Sequence, residues 1–142
     1  MKRLIFLLGF FLALISAALA EDQSRIVRVT TYWREEGQSH AAFNGIRLHK
    51  GHCAVDPRRI PYGSRIRLGD EELIAVDTGP AVISRKAARL CGRNLAERNA
   101  VVVDRYFETK AEALTWEKSH PHFVIAQILP PPLRSGPTAP GS

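Results

Sequence analysis

Three apolar runs of the chain each end on an aspartate: "AVD" at 54–56, "IAVD" at 74–77 and "VVVD" at 101–104. A carboxyl group at the end of a buried strand sits where apolar core meets water. Burial raises its pKa there, and a second acid nearby raises it further. Such a group holds a proton to higher pH and can deliver it, which is the work of a general acid. The three are not equivalent. Asp56 precedes Pro57, and an Asp-Pro pair favours a turn in which the carboxylate accepts nearby backbone N–H groups, so Asp56 is expected as a structural or supporting acid. Asp77 stands before Thr78 and Gly79, a tight turn that would carry its carboxylate to the surface. Asp104 ends the most apolar run, and Val102, Val103, Phe107 and a charged Asp77 would all raise its pKa. The bland alternative for Asp104 is a strand cap or a partner for an arginine.

Other chemistry-bearing residues depend on where the chain resides. Lys2 and Arg3, an almost unbroken apolar run from Leu4 to Ile15, and Ala18-Leu19-Ala20 before Glu21 have the layout of an export signal over residues 1–20. A membrane anchor is the competing reading, but the run is short for a bilayer. No cysteine follows the cleavage point, so no lipid anchor is expected. The mature chain is then exported, periplasmic or extracellular, with no membrane anchor after cleavage. In an oxidising compartment the two cysteines, Cys53 and Cys91, are expected to form one disulfide; a nucleophilic thiol beside His52 is the alternative. His49, His52, His120 and His122 could be imagined as metal ligands, but exposed histidines are the default, and neither metal nor cofactor is expected. Tyr32 or Trp33 could stack on a sugar. They alternate on a strand, so only one can face a groove.

Loss of Lys2 and Arg3 takes the net charge from +6 to +4. A basic surface suits nucleic acid, anionic lipid or an acidic polymer, and export argues against nucleic acid. The cations are scattered, so a solvated surface also explains them.

These residues need a scaffold, and the coarse reading is mostly strands. "RIVRVTTYW" (25–33) is β-branched and aromatic, with Val27, Val29, Thr31 and Trp33 on one face. "SRIRL" (64–68) alternates and turns at Gly69-Asp70 into "ELIAVD" (72–77). "AVVVD" (100–104) reads as a strand buried on both faces, and "HFVIAQIL" (122–129) closes the ordered part. Thr109 and Glu112 fit a capping box opening a helix over 110–118, packed through Ala111, Leu114 and Trp116. Ser84 is a candidate cap for a helix over 85–91, with Gly92 at its end. Residues 130–142 are rich in Pro, Gly and Ser and are expected to be disordered. One domain over 21–129 follows, mainly β with one or two short helices, a barrel rather than a doubly wound sheet.

The order "AVDP..IP.G", "AVDTG", "VVD..FE....A..W" resembles the three-aspartate (3D) domain from about Val29 to Ile128. That family has a six-stranded double-psi β-barrel and includes lytic transglycosylase catalytic domains such as that of membrane-bound lytic transglycosylase A. The resemblance implies a monomer acting on peptidoglycan glycan strands, with Asp104 as general acid and Asp77 in the same groove. Tyr32, Thr78 and Gly79 are the expected substrate-binding residues. The implied reaction cleaves the MurNAc–GlcNAc bond with one acid/base: the C6 hydroxyl of the sugar replaces water and leaves a 1,6-anhydro product. Three departures stand out. Pro80 follows Gly79 where the family has a second glycine, Val102 stands where it often has arginine, and the segment between Asp77 and Asp104 is longer. The "DTGPAV" run is also similar to a motif of rare lipoprotein A, another double-psi barrel. A non-catalytic glycan-binding barrel and a structural envelope protein are the alternatives, since fold does not fix chemistry.

Overall fold

A computed structural model describes residues 24–36 and 39–133. The export-signal segment and residues 134–142 of the tail lie outside the described residues. Six strands appear in chain order: β1 (Ser24–Trp33), β2 (His52–Ala54), β3 (Arg65–Leu68), β4 (Glu71–Asp77), β5 (Val101–Phe107) and β6 (Phe123–Leu129). They close into a barrel in the order β1-β5-β2-β4-β3-β6. The pairs β1/β5 and β2/β4 are parallel, while β2/β5, β1/β6, β3/β4 and β3/β6 are antiparallel. Each parallel pair needs a crossover connection, and β2 of one pair is hydrogen-bonded to β5 of the other.

Closure buries one face of each strand. Val27 and Val29 of β1, Cys53 of β2, Ile66 of β3, Leu73 and Ala75 of β4, Val101 and Val103 of β5, and Ala126 and Ile128 of β6 fill the interior. The alternate residues of β5 point outward. Val102 joins Ala54, Val82, Ala88 and Ala100 in a second apolar layer outside the wall. This is why "VVVD" reads as a continuous apolar run: both faces of β5 are covered.

Four short helices among the described residues, where one or two were expected, supply the cover: α1 (Pro80–Ser84), α2 (Lys86–Cys91), α3 (Leu95–Arg98) and α4 (Lys110–Ser119). The expected capping box is present on α4, with Thr109 Oγ1 accepting from Glu112 N and the Glu112 carboxylate accepting from Thr109 N. Its packing differs from expectation. Ala113 and Trp116 are the buried residues, and Leu114 is exposed, because the short helix is anchored mainly by the Trp116 ring. The cap of α2 also differs. Arg85, in a left-handed conformation at φ 52°, occupies the N-cap instead of Ser84, because α1 ends there and the chain must turn sharply between two helices.

The expected Cys53–Cys91 disulfide is not formed; both cysteines are free, Cys53 buried and Cys91 exposed. The barrel wall explains it. Cys53 points into the interior, where its thiol donates to the Ile74 carbonyl at 3.6 Å, whereas Cys91 lies on the outer helical layer. Burial also pushes the Cys53 thiol far above its ordinary pKa, which makes a nucleophilic role unsuitable.

Candidate functional site

Strand register brings two of the three aspartates together. Ala54 of β2 is opposite Asp104 of β5 on one side and Asp77 of β4 on the other, through a register shift after Cys53. Thr30 of β1 is opposite Asp104 on its remaining side. Thr30, Asp104, Ala54 and Asp77 therefore form a row across four neighbouring strands. With adjacent strands about 4.8 Å apart, the two aspartate backbones are separated by about 10 Å. Ala54 between them has only a methyl group, which leaves the space open.

Strand β1 holds both acids. Its alternate outward residues, Thr30 and Tyr32, each give a hydroxyl hydrogen bond: Thr30 Oγ1 donates to Asp104 Oδ1 at 2.9 Å, and Tyr32 Oη to Asp77 Oδ2 at 3.1 Å. Ala42 N donates to the other oxygen of Asp77 at 3.0 Å. Both Asp77 oxygens are thus engaged as acceptors, which fixes the carboxylate's direction. Burial, with a smaller push from the charges of Asp77 and Asp104, moves the Tyr32 hydroxyl well above its ordinary range, so it remains a donor.

Asp104 differs from its neighbour. Burial raises its pKa from 3.8 to about 6, opposed by the Thr30 hydrogen bond and reinforced by the charges of Glu36, Asp77 and Glu117. It is thus a proton donor at mildly acidic pH in a groove that also contains a second, firmly held carboxylate.

Asp56 is elsewhere in function. It is buried, its carboxylate accepts from Arg58 N at 3.1 Å, and its carbonyl accepts from Arg59 N and Ile60 N. The side chains of Arg58 and Arg59 lie over it at 3.3 and 3.6 Å. The Arg58 contact holds its carboxyl below the usual carboxylate range. This is the turn-forming acid that the Asp-Pro pair implied.

Two cavities meet at Asp104. One, of about 570 Å³, contains Asp77, Thr78, Gly79, His40 and Glu36 beside Tyr32 and Asp104. Thr78 Oγ1 is buried there with no hydrogen-bond partner among the described residues. Gly79 is extended, and a Cβ at this position would meet nothing within 4 Å, so it is a groove wall without a steric need for glycine. The other cavity, of about 660 Å³, runs between β1 and the α1–α2 segment over Val102, Pro80, Ala87 and Leu90 to Cys91. Pro80 starts α1 at a position where its missing N–H costs nothing.

Of the expected sugar-contacting pair, Tyr32 faces the groove, while Trp33 packs against the interior. The residues not anticipated are Thr30, Glu36 and His40. Thr30 was legible in principle, being two residues before Tyr32 on the same strand face. Glu36 and His40 come from the loop after β1, and no sequence pattern marks them. His49 and His52 lie with tilted rings, centroids 3.7 Å apart, and His120 stacks on Trp116; the hydrogen bonds to the two acids come from Thr30, Tyr32 and Ala42 instead. No group of three metal-ligating side chains occurs among the described residues. No family model, curated protein or solved structure matches the chain.

Proposed function

We propose that this protein cleaves glycan strands of peptidoglycan by lytic transglycosylation, with Asp104 as the acid/base. The observation that carries the reading is a single carboxyl raised to about 6 on the floor of an open groove, in the same cross-strand row as a second, rigidly oriented carboxylate and one strand removed from it. Asp104 donates its proton to the glycosidic oxygen as the C1–O bond breaks. The positive charge that develops at C1 is faced by the Asp77 carboxylate. The C6 hydroxyl of the same sugar attacks C1 and passes its proton to Asp104, which closes the 1,6-anhydro ring and restores the acid. One group acting twice suffices, because no water has to be activated.

A non-catalytic glycan-binding barrel is the second reading, favoured by the Thr30 hydroxyl, which donates to Asp104 Oδ1 and so stabilises the ionised form. Mass spectrometry of peptidoglycan incubated with the protein separates the two. Anhydro-muropeptides are the expected products and should disappear with Asp104→Asn. Reducing-end products would indicate a hydrolase instead, and an intact polymer retained by the protein would favour the binding module.

A further inference from the structure

Arg28 continues the outward row of β1 that supplies Thr30 and Tyr32 to the two acids. At about 3.4 Å per residue, it stands about 7 Å beyond Thr30 on the same face. Its register partner on β5 is Val102, in the floor of the apolar groove, and its partner on β6 is Phe123. The guanidinium lies over the Phe123 ring, 5.3 Å from the centroid. Nη1 donates to the Val29 carbonyl at 3.1 Å, while Nε is buried without a hydrogen-bond partner among the described residues. Arg28 makes no ion pair among them.

A cavity of about 330 Å³ opens beside this cation, lined by Arg28, Cys91, Arg93, Pro121, His122 and Phe123. None of its lining residues is acidic. Glu97 is bound to Arg93 at 2.7 Å and partly offsets that charge, which leaves Arg28 as the uncompensated one. Cys91 borders both this cavity and the apolar groove, so the two are neighbours. Carboxylates, an apolar floor and guanidinium groups therefore follow one another along this face.

We infer that the cavity of Arg28, Arg93 and His122 is a subsite for a carboxylate-bearing peptide arm attached to the glycan. This rests on the glycan-cleaving reading of the groove. Sugar hydroxyls and amides do not call for an unpaired arginine; a carboxylate matches its planar fork and its charge. The Phe123 ring restrains the fork on one side. The step from the Asp104 row to Arg28 is a distance that two residues of extended peptide span.

Titration calorimetry with two soluble probes tests this: a peptidoglycan disaccharide carrying a short acidic peptide, and the same disaccharide without it. The parent protein should bind the peptide-bearing probe roughly tenfold more tightly. Arg28→Gln should remove most of that difference, and Arg93→Gln, whose charge Glu97 partly offsets, a smaller but measurable part of it. The Arg93 side chain is 81% exposed, so its variant reports even if Arg28→Gln does not fold. A peptide whose carboxylates are amidated should bind like the bare disaccharide. Equal binding of the two probes by the parent, a preference that survives Arg93→Gln and any folded Arg28→Gln, or an amidated probe that binds as tightly as the charged one would each overturn the subsite, as would failure to bind either probe. Cleavage is read separately: a peptide preference without anhydro products keeps the subsite and removes the reaction, while cleavage without a preference does the reverse.

Discussion

At the scale of single residues, the proposed activity and the pH dependence of stability both turn on Asp104. A carboxyl whose folded pKa is about 6 binds a proton more readily in the folded chain than in the unfolded one. The folded state is therefore favoured below pH 3.8, and that advantage is lost as pH rises towards 6. Asp104→Asn should consequently melt above the parent at pH 7 to 8, by about 1–3 kcal/mol, and match it near pH 3.5. Turnover by the same variant should fall by about two orders of magnitude or more while glycan binding persists. Thr30→Val removes the hydrogen bond that opposes burial. The high-pH limb of the rate profile should then move upward, and a limb that stays in place would separate Asp104 from the titration. Asp56 acts oppositely, since its pKa is depressed: its contribution is present at neutral pH and lost as pH falls below 3.8. Asp56→Ala should cost about 1–2 kcal/mol in a denaturant melt and leave the groove's pH profile unchanged.

At the scale of elements, the α1–α2–α3 segment forms one side of the apolar groove, and Gly92 holds its corner. Gly92 has φ −67°, which any residue adopts, so its value is not conformational freedom. A Cβ there would lie 2.6 Å from Arg98 N and 2.9 Å from the Ala88 carbonyl oxygen, both backbone atoms that cannot move aside. Gly92→Ala should therefore destabilise the protein by about 1–3 kcal/mol and weaken glycan binding, measured by thermal melting and pull-down. Thr109→Ala removes the α4 capping box, whose residues line neither cavity of the groove. A loss of about 1 kcal/mol with unchanged binding is expected, which provides the contrast.

At the scale of the whole molecule, the barrel divides the chain into an inside and an outside, and the two cysteines report on it. Alkylation of the native protein should modify Cys91 alone, with Cys53 reacting only after denaturation. Absence of any reactive thiol before reduction would restore the disulfide. Because Cys91 borders the apolar groove, bound glycan should slow its labelling. The net positive charge adds a long-range attraction to acidic polymers, so binding should weaken with salt. Binding that ignores ionic strength would leave the groove contacts to carry affinity.

Local chemistry made much of this legible. Alternation located β1 and β3, a turn after β3 and apolar runs located β4, β5 and β6, the Thr109–Glu112 spacing located α4, and Asp56-Pro57 located a turn, because each depends on neighbours within a few residues. The strand β2 was not legible: three residues, all buried, have no period to read. The short helices α1 and α3 escaped for the same reason. Only tertiary structure decided the site. The row Thr30–Asp104–Ala54–Asp77 depends on crossover connections and on the register shift in β2, and no spacing along the chain encodes it. The cysteines show the same limit, since two residues that compartment and count would join stand on opposite sides of a barrel wall. A sequence states which side chains a strand offers to each face; closure of the barrel determines which of those faces meet.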